Sequence, residues 1–227
     1  MYVGKLRFLL YRPKHRSNLP FSGFLLLSPL GGVIIPAMAR VQNPPPGRLI
    51  VSVIYNSIDG LADCLKQLEK QFGRVLSETL EIECSANRYQ EEMGQQLSRR
   101  FFSFEKLVDR ESLPDIKAAC HKIERGLGDQ VDDYTFRTVN VDPGVLSPTN
   151  LTMASHREYG HRIYLGKGVF AEVTLIYARG RFTQLPWTNP DFCDEEAVRL
   201  LTDARNSFPI LTETKEKFPD RASAMRE

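Results

Sequence analysis

The sequence predicts an α+β domain: a strand–helix–strand unit, a helical middle, and an antiparallel β meander closed by a C-terminal helix. Three observations predict it. Leu49 to Tyr55 (LIVSVIY) is a nearly continuous apolar run followed by helical periodicity. Ile163 to Leu185 alternates apolar and polar residues between glycine-marked turns. From Asp194 a helical pattern runs to about Phe208, where Pro209 ends it. Alternation at period two belongs to strands and spacing of three to four to helices.

An apolar run such as LIVSVIY fits a strand covered on both faces. Ser57 caps the helix that follows, its stripe is Leu61, Leu65, Leu68 and Phe72, and Gly73 stops it. Leu80, Ile82 and Cys84 alternate with Glu81 and Glu83 in a second strand. The middle reads as helical and charged: Glu91 to Gly94, then Arg99-Arg100 with Phe101, Phe102 and Phe104 turned inward. A further helix starts near Ser112 and presents Ile116, Cys120, Ile123 and Leu127 on one face. Gly126, Gly128 and Asp129 to Asp133 form a loop.

Phe136 to Val141 reads as a strand ended by the turn residues Asp142-Pro143-Gly144. Ser147-Pro148 resembles an N-cap with proline at the first helical position, so a short helix through Met153 follows, with an N-terminus suited to an anion. Next comes a hairpin with Gly166-Lys167-Gly168 as a three-residue loop and Gly168 at positive φ. That loop sets Leu165 opposite Val169, Ile163 opposite Ala171 and Arg162 opposite Glu172; a two-residue loop slips the register by one and sets apolar residues opposite polar ones. Arg179-Gly180 turns the chain into a third strand, Arg181 to Leu185. Trp187 is expected to pack the final helix, capped by Asp194 with Val198, Leu201 and Ala204 inward, onto the sheet.

Length and charge bound the rest. The 227 residues suffice for one domain and a tail. Residues 1–47 read as a leader and Pro-rich linker outside the fold, 48–208 as a single domain, and 209–227 as a charged tail that frays. Residues 1–37 hold five basic and no acidic residues, which leaves 25 basic against 28 acidic from Met38 onward. A general nucleic-acid surface is therefore not expected. Ala37-Met38-Ala39 suits a signal cleavage site at 1–39, but Pro29, Gly31, Gly32 and Pro36 interrupt the apolar run. Translation from Met38 is the preferred reading, with no membrane span. Four scattered cysteines without CxxC spacing fit buried thiols in the cytoplasm.

GxxxxGK[ST], GxGxxG, HExxH and GxSxG are all missing. The polar residues that remain cluster in one stretch: Asp142, His156, His161, Arg162, Lys167 and Glu172. Imidazole beside carboxylate suits a divalent metal, yet His161 shares the parity of Ile163 and Leu165 and reads as core-facing, so no metal and no cofactor is assigned. Glu172 is explained by its partner Arg162, a pair worth about 0.2–1 kcal/mol. The leading expectation is a small-molecule site for a phosphorylated or nucleotide ligand, bordered by the Asp142 to Gly144 turn and the Gly166 to Gly168 loop. The alternative is a noncatalytic interaction module whose polar residues are pairs and caps.

EEMG (Glu91 to Gly94), RRFFSFE (Arg99 to Glu105), NVDPG (Asn140 to Gly144), HRIYLGKG (His161 to Gly168), FAEVTL (Phe170 to Leu175) and LPWTNPDF (Leu185 to Phe192) form a specific combination. By it the chain resembles an uncharacterised bacterial family, domain of unknown function 4416, over about Met38 to Phe208. The resemblance implies no activity. Residues 1–37 lie outside it, which favours Met38 as the start.

Overall fold

A computed structural model of the chain describes residues 26–27, 33–34, 43–84, 89–131 and 134–208. The chain divides into two units, Met1–Asn43 and Pro44–Glu227. In the first, β1 (Leu26–Leu27) pairs antiparallel with β2 (Val33–Ile34).

The second unit opens on β3 (Gly47–Tyr55), buried at all nine positions because strands flank both its edges and helices cover both its faces. Helix α1 (Ile58–Phe72) starts where Ser57 Oγ accepts Gly60 N–H at 3.2 Å and stops at Gly73, whose φ is 93°. β4 (Val75–Glu78) supplies the second strand of the strand–helix–strand unit earlier than expected; of the stretch from Leu80 to Cys84 read as that strand, only β5 (Ile82–Glu83) pairs, and Leu80 is exposed. After α2 (Gln90–Met93) comes the eleven-residue β6 (Ser98–Val108), then α3 (Leu113–Leu127). A small hairpin of β7 (Asp129–Val131) and β8 (Tyr134–Phe136) leads into β9 (Val139–Leu146) and β10 (Asn150–Ser155). The meander is β11 (Ile163–Gly166), β12 (Val169–Ala178) and β13 (Arg181–Gln184), and α4 (Glu195–Asn206) closes the described chain.

The main sheet runs β11-β12-β10-β9-β3-β6-β4, with β13 on β12 and β5 on β6, and its pairs are antiparallel. One face of β3 (Leu49, Val51, Val53) packs with Phe102 and Phe104 under α1 and α3. On the opposite face Ile50, Phe101, Leu146, Leu151 and Leu175 pack against Leu200, Leu201 and Phe208. Burying each such side chain fully stabilises the fold by about 1.5–3 kcal/mol. The α+β class and the closing helix thus stand as read from the sequence.

Several elements differ. Arg99 to Val108 is a strand at the heart of the sheet, because its large residues divide between two buried faces: Phe101 on one, Phe102 and Phe104 on the other. The helical middle shrinks to the single turn of α2 and to α3. Asp142-Pro143-Gly144 lies inside β9, opposite Ser52, Val51 and Ile50 of β3. Gly144 is there for closeness: a Cβ on it would sit 2.3 Å from Met153 Sδ and 2.8 Å from Thr152 O. The expected helix after Ser147 is the strand β10. Ser147 does cap, but it caps a turn, its Oγ accepting Thr149 N–H and Asn150 N–H at 3.2 and 3.0 Å. Asp129 to Asp133, expected as a loop, contributes strand β7.

The hairpin keeps the expected pairing of Ile163 with Ala171 and of Arg162 with Glu172 by another route. Its turn has two residues, Lys167 and Gly168, at φ 56° and 70°, and a bulge between Tyr164 and Gly166 restores the register the short turn would lose. Gly166 therefore stands opposite Val169, where Leu165 was expected. Residues 209–227 lie outside the described residues. Among the described residues no helix is long and apolar enough to cross a membrane.

Candidate functional site

β9 and β10 pair only at Leu146, Val145 and Gly144, and the ladder ends beside Pro143, which has no N–H to donate. Beyond that point β9 stays with β3 while β10 follows β12. The sheet opens, and a cavity of about 460 Å³ occupies the split.

The open edge of β9 is closed by charge. Within an antiparallel ladder the N–H and C=O of one residue face the same neighbouring strand. At Val141 both groups are taken by α3: Lys117 Nζ donates to the carbonyl at 2.9 Å, and Glu124 Oε1 accepts the N–H at 2.6 Å. Lys117 and Glu124 are 4% and 2% exposed, so these charges stand in for the missing strand. Lys117 also donates to Asp142 Oδ1 at 2.8 Å, Asn140 Nδ2 to Asp142 Oδ2 at 2.7 Å, and Arg137 Nη1 to Asn140 Oδ1 at 2.8 Å. A two-pronged Arg137–Glu92 pair ends the chain. Burial works against the Asp142 carboxylate, but the charge and hydrogen bond of Lys117 and the Asn140 amide together hold its pKa down to about 2. Burial works against the Lys117 ammonium too, and Asp142 and Glu124 more than offset it.

The second wall comes from the hairpin. Glu172 Oε2 accepts from Arg162 Nε at 2.8 Å and faces His161 Nε2 at 3.0 Å. Arg162 Nη1 donates to Ser155 Oγ and to the Arg157 carbonyl at 2.8 and 2.9 Å. The His161 ring lies flat between Tyr159 and Trp187, with centroids 5.8 and 4.8 Å away. Trp187 Nε1 donates to Val173 O at 2.8 Å, and its partly exposed ring lines the cavity. His161 is correspondingly a wall residue; Ile163 and Leu165, whose parity it shares, are exposed on an edge strand, so that parity marks no core face. At the base, buried Arg99 pairs with buried Asp191 at 2.8 Å and donates to Ser52 Oγ at 2.8 Å.

The cavity's remaining basic side chains are His121, His156 and Arg157. His121 Nδ1 lies 3.2 Å from Glu124 Oε2, and His156 Nδ1 lies 3.0 Å from the Gly168 carbonyl. Asp142, His156, His161, Arg162 and Glu172 thus line one space, formed by a strand end and a hairpin, without the expected turn at Asp142. Lys167 is not among the lining residues; it pairs with Asp115 on the surface. Lys117, His121 and Glu124 are not among the residues the sequence singles out, although their spacing of four and three puts them on one face of a helix, beside the apolar stripe. Among the described residues no group of three or more His, Cys, Asp and Glu is placed to hold a metal. Cys64, Cys84 and Cys120 are buried and Cys193 is exposed; burial pushes the Cys64 thiol up to about 12 and raises Cys120 as well, so neither is an activated nucleophile.

No curated protein and no solved structure matches the chain. A family model described as a domain of unknown function (DUF4416) matches residues 45–208, the stretch that holds both walls of the cavity, and the chain belongs to that family.

Proposed function

We propose that the cavity binds a small phosphorylated ligand of the size of a sugar phosphate or nucleotide. The observation that carries this is one cation left over. Arg99, Lys117, Arg137 and Arg162 line the space already paired, with Asp191, Asp142, Glu92 and Glu172, while Arg157 lines it with no ion pair among the described residues. Each carboxylate is already engaged: Asp142 by Lys117 and Asn140, Glu124 by Val141 N–H, Glu172 by Arg162. The Arg157 side chain is exposed and its guanidinium makes no hydrogen bond among the described residues, so a planar, forked donor is available to an anion. A volume of about 460 Å³ lies within the ordinary range for small-molecule sites. A cytosolic location accords with four cysteines in no disulfide.

Thermal shift of the full chain tests the proposal. Inorganic phosphate, sugar phosphates and nucleoside monophosphates are expected to raise Tm where their unphosphorylated counterparts do not. Arg157→Ala should abolish most of that shift. Equal behaviour of phosphorylated and unphosphorylated compounds would remove the reading.

A second reading, a noncatalytic interaction module, has its own support. Ile163, Tyr164 and Leu165 on edge strand β11 are 70%, 60% and 41% exposed, and an open edge with apolar side chains is suited to pairing. The Arg162–Glu172 pair is moreover closed on itself. Under this reading Ile163→Lys would change the apparent mass in solution and leave ligand response untouched.

A further inference from the structure

We propose that His121 and His156 act as an acid–base pair that hydrolyses a phosphate ester held in the cavity. The inference rests on the phosphorylated-ligand reading above. It starts from how the two rings are held. A carboxylate and a carbonyl can only accept, so each Nδ1 carries the hydrogen, His121 toward Glu124 and His156 toward Gly168 O. Each Nε2 is thereby the free nitrogen, and neither has a protein partner among the described residues. The rings meet edge to face with centroids 5.3 Å apart, and both line the cavity beside Arg157. They come from different elements, His121 from α3 and His156 from the segment after β10, so the arrangement is made by the fold and not by local sequence. Glu124 is itself fixed, its other oxygen holding Val141 N–H at 2.6 Å. A buried carboxylate that positions an imidazole, with the opposite nitrogen turned to a ligand space, has the form of a general acid–base device.

The step balances with water alone. Water attacks phosphorus and gives one proton to His156 Nε2, whose Nδ1 partner is an uncharged carbonyl. The bond from phosphorus to the ester oxygen breaks, and that oxygen takes a proton from Nε2 of His121, whose positive charge faces the Glu124 carboxylate. A monoester yields inorganic phosphate and an alcohol, a diester yields a monoester and an alcohol, and proton exchange with solvent resets both rings. Arg157 stands where it can neutralise charge on the phosphoryl oxygens. The charged and titratable groups sharing the cavity with the pair are Lys117 and Glu124 from α3, Arg99 from β6, Arg137 just before β9, Asp142 from β9, Glu172 from β12, Arg157, His161 and Arg162 from the segment between β10 and β11, and the phenols Tyr89 and Tyr159.

The full chain is assayed with p-nitrophenyl phosphate and bis-p-nitrophenyl phosphate across pH, alongside binding of inorganic phosphate. The expected result is release of nitrophenol from at least one ester with a bell-shaped pH profile. His121→Gln and His156→Gln should each lower kcat on the order of 100-fold or more, removing one limb of the bell, while Tm stays that of the parent and phosphate affinity stays within about threefold of it. Lys167→Ala, outside the cavity, should match the parent. Phosphate binding without turnover of either ester would overturn the acid–base pair and leave the ligand reading standing. Absence of both would overturn the two together, and turnover insensitive to either glutamine substitution would assign the chemistry elsewhere.

Discussion

Asp142 makes the clearest residue-scale case, because its charge is held by named neighbours. Its carboxyl sits at about 2 in the folded chain, against about 3.9 for an unperturbed aspartate. A depressed folded value adds stability that is fully present above the unfolded value and disappears as pH falls through the folded one. The window is therefore about pH 4 down to about pH 2, and the contribution on the order of 2 kcal/mol. Asp142→Asn is expected to be less stable than the parent by about that amount at pH 7. The two unfolding free energies should converge near pH 2, as measured by denaturant titration at several pH values. A difference independent of pH would show that the amide disturbs packing instead. This residue was legible as polar and of interest, but not its partner: Lys117 lies 25 positions earlier, and nothing in either local sequence announces that β10 departs at Pro143. Arg162 and Glu172 were legible because the hairpin that joins them is local.

At the scale of elements, what could be read was periodicity within one segment, and what could not was the identity of neighbours. α1, α3 and α4 carry one apolar face each, and that pattern survives in the structure. β6 carries apolar residues on both faces plus a buried arginine, so its alternation is hidden and Arg99 to Phe104 imitates a helix with charged flanks. Asp142-Pro143-Gly144 has the chemistry of a turn, yet each residue answers to a partner far away: Lys117 for the aspartate, the end of the β10 ladder for the proline, Met153 for the glycine. The last of these is testable. Gly144→Ala places its methyl against Thr152 O as well as Met153 Sδ, and that carbonyl belongs to the backbone of β10, which β12 holds from its other edge. The substitution should cost about 1–3 kcal/mol by pushing β9 from β10. Melting temperature would report it, and amide exchange should accelerate at Val145 and Thr152 before it does in β3. Unchanged stability would mean that the strands separate freely and that the width of the cavity is not set here.

For the whole molecule, the decisive fact is where the core begins. The buried apolar residues of the described chain run from Leu49 to Phe208, on both faces of the sheet, and each cluster closes within those limits. The cavity is lined within the same limits, by groups from Tyr89 to Phe192. Residues 1–37 add five positive charges and turn a body of formal charge −3 into a chain of +2, but the cations of the cavity owe nothing to them. A chain starting at Met38 is therefore expected to keep the same core, the same cavity and the same response to phosphate. At this size 1 kcal/mol moves Tm by roughly 2–4 °C, so calorimetry on the two chains should agree within about 2 °C. The phosphate-induced shift should be equal in both, and their isoelectric points should fall on opposite sides of neutrality. A loss of more than about 5 °C would mean that the first 37 residues contribute over 1 kcal/mol to the fold. A phosphate shift lost with them, at unchanged Tm, would move the anion site out of the cavity and onto the leader.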